Sequence, residues 1–196
     1  MSYEEEYDYK PSILSIIWSW IWSFIVAFII VGGVYFFLGR PFTVSGASMY
    51  PTLHNGDRMV LSKVGDIHRF DVVILKAPDE NVEYIKRVIG MPGDTVEMKS
   101  GVLYINGKKV DQPFINTEAL AKQTVFMDDF TLESLTGESK VPEGKYFVLG
   151  DNRGVSKDSR MIGVIDRSAI EGKAVFTIWP FGRIGGQKNY GYLYSE

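Results

Sequence analysis

The sequence predicts a mainly β domain behind a single N-terminal transmembrane helix. Three observations predict it. A run of 29 residues from Pro11 to Gly39 carries no charge, and short apolar runs punctuated by turn residues fill the remainder. The 196-residue chain is 45% hydrophobic against 23% charged, which excludes a disordered or collagen-like chain. That length holds one domain of about 150 residues and a short appendage. A net charge of −3, from 21 Lys+Arg against 24 Asp+Glu, argues against a basic nucleic-acid binder, so no nucleic-acid partner is expected. Cysteine is absent, which removes disulfides, thiolate metal sites and cysteine nucleophiles together. His54 and His68 are the only histidines and form no His-x-x-x-His pair, so no metal site is expected. Oxygen and amine chemistry remains.

The first ten residues form an acidic tail, with Glu4, Glu5, Glu6 and Asp8 against Lys10. Residues 11–39 then exceed the ~20 apolar residues that span a bilayer as a helix. Trp18, Trp20 and Trp22 mark one end, and Tyr35, Phe36 and Phe37 the other, as interfacial aromatics do. The rival readings are a buried soluble helix and a cleaved signal peptide ending at the small-x-small triplet Ser45-Gly46-Ala47. A signal peptide has a shorter apolar region behind a positive segment, so the run reads as an uncleaved anchor in membrane lipid. Lys10 on one side and Arg40, Arg58 and Lys63 on the other leave the orientation open.

Residues 40–196 form the β domain. Arg58–Val64, Phe70–Lys76, Val82–Ile89, Thr95–Lys99, Val102–Ile105, Tyr146–Leu149 and Lys173–Trp179 fit strands. Asn106-Gly107 joins Val102–Ile105 to Lys108–Val110 as a two-residue hairpin. Met91-Pro92-Gly93-Asp94 and Pro142-Glu143-Gly144 are turns. Thr117–Lys140 is a polar excursion with at most a short helix, and Ser168–Gly172 is one helical turn.

Without cysteine or metal, covalent hydrolysis needs a hydroxyl and a base. There is no Gly-x-Ser-x-Gly elbow and no Ser-x-x-Lys, and His54 reads as an exposed turn residue. A Ser–Lys pair remains, in which burial must lower the lysine pKa towards neutrality. Lys63, Lys76 and Lys86 all lie in apolar strand-like runs, and spacing does not choose among them. Lys86 shares a strand face with Tyr84 and Val88. The candidate hydroxyl is Ser48, in the small-residue stretch from Ser45 to Leu53, where Pro51 stiffens the turn.

Ser48-Met49-Tyr50-Pro51-Thr52-Leu53 resembles the nucleophile motif of type I signal peptidases, the Ser–Lys endopeptidases that remove secretory signal peptides. Phe70-Asp71-Val72-Val73 resembles that family's next block. Tyr84 through Asp94 resembles the block carrying the general-base lysine, and Gly150 through Arg160 resembles the last one. The short body and single anchor are similar to the Gram-positive form.

The resemblance implies a signal-peptidase-like β domain with an extended hairpin, no cofactor, and secretory preproteins as substrates, cut after small residues at −1 and −3. It implies Ser48 as nucleophile and Lys86 as base. Ser156 would hydrogen-bond the lysine amine, and Asp151, Arg153, Asp158 and Arg160 would shape the site. The oxyanion would meet the backbone N–H of Ser48 and a second donor near Gly46. Gly46 stands where the Gram-negative form has a serine hydroxyl, so only backbone is available there. The family's orientation places the tail in the cytoplasm and the body outside the cell membrane. Two rivals carry the same residues less well: a non-catalytic tethered β module, and a repressor-type autoprotease, which should have a DNA-binding helix-turn-helix in place of the anchor.

Overall fold

The computed structural model describes residues 12–38, 41–63, 65–115 and 128–194. The acidic tail 1–10, the expected helix ends at Pro11 and Gly39, Val64, and residues 116–127 of the polar excursion lie outside the described residues. The chain divides into two units, Met1–Phe37 and Leu38–Glu196.

The first unit is a single helix, α1, spanning Ile13–Leu38. Its 26 residues reach about 39 Å at ~1.5 Å per residue, beyond the ~30 Å of a hydrocarbon core. The segment Ile13–Gly33 is long and apolar enough to cross a membrane, and none of it is buried. The hydroxyls of Ser15, Ser19 and Ser23 donate to the carbonyls of Ser12, Ile16 and Ser19, which satisfies them within the helix.

The second unit is built from twelve strands among the described residues, and every pairing is antiparallel. The larger sheet contains β1 (Pro41–Thr43), β2 (Arg58–Ser62), β3 (Val72–Lys76) and β4 (Glu83–Gly90). The smaller sheet contains β5 (Val96–Lys99), β6 (Val102–Ile105), β7 (Lys108–Val110) and β8 (Phe130–Thr131). β9 (Lys145–Leu149), β10 (Ile165–Asp166), β11 (Ile170–Trp179) and β12 (Gly185–Gly186) return to the larger sheet. Its order is β1-β2-β11-β3-β4-β9-β10, with β12 on β11, and the smaller order is β7-β6-β5-β8. Asn106 and Gly107 both have positive φ, 51° and 72°, the signature of the tight turn their sequence predicts.

One expectation shifts. Ser168–Gly172 is not one helical turn: a 3-10 turn covers Arg167–Ala169, and β11 already begins at Ile170. Pairing of Ile170 with Leu75 and its burial draw it into the sheet. The short strands β1, β8, β10 and β12 have two or three residues each, too few to show an alternation. The excursion's short helix exists at Leu132–Thr136, capped by Thr131, whose hydroxyl accepts from the Ser134 N–H.

The central strands β3 and β4 are covered on both faces. Val72, Ile74 and Ile85 pack with Val44, Met49 and Leu53, while Val73, Leu75 and Val88 pack with Tyr146 and Val148. Lys86 is therefore placed on a strand that is covered on both faces.

Candidate active site

Ser48 lies in the loop between β1 and β2. Its neighbours Met49 and Leu53 are 1% exposed and anchor the loop in the core, leaving Ser48 half-buried above them. The loop is closed by backbone bonds from Val44 N–H to Asp57 and from Gly56 N–H to Val44, both 2.8 Å. Gly46 has φ +88°, a conformation that suits glycine alone. Its N–H donates to Asn55 Oδ1 at 2.9 Å. The Gly46 N–H is thus engaged, whereas the Ser48 N–H has no acceptor among the described residues.

Lys86 is 3% exposed on β4, opposite Val73. Its Nζ lies 3.1 Å from Ser48 Oγ and donates to the Ile85 carbonyl at 2.9 Å. The Tyr84 ring centroid is 5.0 Å away, on the shared strand face. Burial pushes the amine from its ordinary 10.5 down to about 8, against the opposing pull of the Asp158 and Asp151 carboxylates. Lys63 and Lys76 are exposed, and Lys76 sits 3.9 Å from Glu171, so only Lys86 of the three candidates reaches the serine.

The segment Gly150–Arg160 leans against both groups. A Cβ on Gly150 would overlap the Ser156 side chain and lie 2.6 Å from the Ser48 carbonyl oxygen. Gly150→Ala is accordingly expected to displace Ser48 and lower kcat roughly 10²-fold with a retained fold, as steady-state kinetics beside circular dichroism would show. Asp151 accepts from Arg87 Nε at 2.8 Å and Nη2 at 2.6 Å, both residues being 1% exposed, and also from the Thr52 hydroxyl. Arg87 Nη1 donates to the Phe70 carbonyl, and its guanidinium lies over the Phe114 ring.

Arg153 Nε donates to the Gly150 carbonyl at 2.9 Å. Asp158 accepts the Gly150 N–H at 2.9 Å and pairs with Arg160 at 2.8 Å, while Arg160 Nη2 donates to the Arg153 carbonyl. Asp151, Arg153, Asp158 and Arg160 thus brace one loop. Lys157 is a surface residue paired with Asp79 and Glu80, which raises its pKa and lowers theirs.

Ser156 departs from what the resemblance implies. Its Oγ is buried beside Gly150 and has no partner among the described residues, because the Lys86 amine turns to Ser48 and Ile85 instead. His54 is half-buried rather than exposed, its ring edge-on to Tyr50 at 5.1 Å. Sequence reasoning also passed over Arg87, Thr52, Asn55 and Asn152. Arg87 could have been noticed as a second charge beside Lys86 in an apolar strand; the others carry no local signal. Among the described residues no three His, Asp or Glu gather as a metal would require.

The family described as signal peptidase, peptidase S26, matches residues 17–179. The chain belongs to the signal peptidase family. It is similar to signal peptidase I of Bacillus licheniformis, 47% identical over 76% of this chain and 81% of the relative. It is similar also to signal peptidase IB of Staphylococcus aureus, 44% identical over 74% and 80%. The crystal structure of a signal peptidase I from Enterococcus faecalis matches with TM-score 0.50 and 40% identity, covering 56% of this chain and 97% of that one. As a member of the signal peptidase family, the chain is a peptidase, a hydrolase, and its mainly β body has that family's fold.

Proposed function

We propose that this chain is a membrane-anchored signal peptidase that cuts secretory preproteins after small residues at −1 and −3, with Ser48 as nucleophile and Lys86 as general base. The observation that carries the reading is the 3.1 Å approach of a buried lysine amine to Ser48 Oγ in a chain of the signal peptidase family. In the neutral form Nζ takes the hydroxyl proton as Oγ attacks the scissile carbonyl. The proton passes to the leaving amine as the C–N bond breaks. Lys86 then deprotonates the water that hydrolyses the acyl–Ser48 ester. The Ser48 N–H supplies one oxyanion donor.

Ser156, buried beside Gly150, would meet the amine or that water with its unused hydroxyl. The helix α1 would hold the enzyme in the cell membrane, with the tail 1–10 cytoplasmic and the domain 40–196 outside, as the family resemblance implies. Ser48 lies only nine residues beyond Gly39, which suits a cleavage site emerging at a bilayer surface.

The test is cleavage of a purified preprotein in detergent, with N-terminal sequencing of the product, by wild type and Ser48→Ala. A cut at the signal junction made by wild type alone supports the reading. Cleavage surviving in the variant removes Ser48 as nucleophile, and no cut by folded wild type on several preproteins moves the chain to a binding module. The lysine also sets a pH profile. Since only neutral Lys86 accepts a proton, kcat/KM is expected to rise with pH through a midpoint near 8, about tenfold per unit below it. A profile flat from pH 6 to 9 would rule the lysine out as base.

A further inference from the structure

We propose that Asn152 is a positioning residue that aims the oxyanion-binding N–H of Ser48. The inference rests on the reading of Ser48 as nucleophile. A trans peptide is planar, with its carbonyl and N–H pointing in opposite directions, so whatever holds the Ala47 carbonyl also aims the Ser48 N–H. Asn152 Nδ2 donates to the Ala47 carbonyl at 3.1 Å. The backbone N–H of the same residue donates to the Ser48 carbonyl at 2.9 Å. Asn152 therefore grips both peptide planes that flank the nucleophile.

The remaining restraint on the Ala47 carbonyl is the Tyr50 N–H, at 3.1 Å from within the turn itself. A turn of this kind interconverts with its neighbouring type by rotating the Ser48–Met49 plane, the plane that the Asn152 N–H pins. Just before the turn Asn55 holds the Gly46 N–H, so two side chains from outside the turn brace its N-terminal end. The brace carries weight because Gly46 has no hydroxyl and its N–H is occupied, which leaves the Ser48 N–H as the oxyanion donor to protect. The segment Gly150–Arg160 thereby acts on the nucleophile from two directions: Gly150 by its closeness and Asn152 by its bonds.

The experiment compares Asn152→Ala, Asn152→Asp and Asn152→Gln with wild type in the full-length enzyme in detergent. The aspartate change keeps the size and loses the donor; the glutamine change keeps the amide on a longer stem. Three quantities are read: kcat and KM on a preprotein-derived peptide, affinity for a peptide aldehyde that forms a tetrahedral adduct on Ser48, and affinity for the cleaved product peptide. Asn152→Ala and Asn152→Asp are expected to lose about tenfold or more in kcat and, in parallel, in aldehyde affinity. KM and product affinity should stay within about twofold of wild type, and the pH midpoint of the uncharged Asn152→Ala variant should not move, because Lys86 keeps its place. Asn152→Gln should recover part of the loss.

Should Asn152→Ala melt early, the isosteric Asn152→Asp variant decides. If Asn152→Asp keeps kcat and aldehyde affinity within about twofold of wild type, the proposal is overturned, as it is by a loss confined to KM. Ser48→Ala runs in parallel: if it still cleaves, the nucleophile assignment fails, and if it is silent while Asn152→Asp is fully active, only the role of Asn152 fails.

Discussion

Lys86→Met is expected to give a folded enzyme that cleaves at least ~10³-fold more slowly than wild type and is more stable at pH 7. The loss follows from removing the amine that reaches Ser48 Oγ. The gain follows from linkage. Lys86 has its pKa at about 8 when folded, against an ordinary 10.5. Between those values the unfolded chain binds the extra proton, so wild-type stability rises with pH across this window and the whole cost is present below pH 8. At about 1.4 kcal/mol per unit the cost approaches ~3 kcal/mol. Methionine fills a similar volume without an amine to desolvate. Allowing for the lost bonds to Ser48 and Ile85, the variant should gain about 1–3 kcal/mol at pH 7. Melting at pH 7 and pH 10 checks it: the advantage should shrink at the higher pH. A variant less stable than wild type at pH 7 would contradict burial as the cause of the lowered pKa.

Asp151→Ala is expected to destabilise the domain by about 3–5 kcal/mol, enough to unfold a domain of ordinary stability near physiological temperature. Arg87 would keep its charge with 1% exposure and lose both bonds to the carboxylate, and the Thr52 hydroxyl would lose its acceptor. Lost activity alone would not separate this from a direct chemical role, so denaturant melts of Asp151→Ala, Arg87→Met and the double variant are the measurement. Because each single change strands a buried group and the double change strands neither, the double variant should be more stable than the sum of the two losses by at least ~1 kcal/mol. Additive losses would mean that the pair is not coupled. The pair matters to the site because it holds the hydroxyl of Thr52, four residues after Ser48 in the same loop.

Much of the architecture is legible along the chain because it is periodic or locally determined. The uncharged run predicts α1 to within a residue or two, and alternation finds β2 to β6 together with β9. The Asn106-Gly107 pair finds its hairpin, since two consecutive positive φ values admit few residues. β1, β8, β10 and β12 escape notice because strands of two or three residues exist only through the partner that pairs with them. The start of β11 is misread for the same reason.

By itself the sequence determined an apolar helix long enough to span a membrane, a cysteine-free β body and the short motifs around Ser48, Lys86 and Gly150–Arg160. These are properties of residue type and order, which composition and local sterics express without help. The runs themselves do not choose among the lysines; the family resemblance points to Lys86, and only the tertiary structure shows that amine 3.1 Å from Ser48 Oγ. Lys63, Lys76 and Lys86 look alike in their runs, and the difference is that β4 lies at the centre of a sheet covered on both faces. Burial there lowers one amine to about 8 and leaves the other two in water. The same holds for the bracing of the site: Arg87 meets Asp151 64 residues away, and Asn152 meets Ala47 across 105. Pairings so distant leave no trace in a local pattern, because the free energy that makes them comes from the packing of the whole sheet.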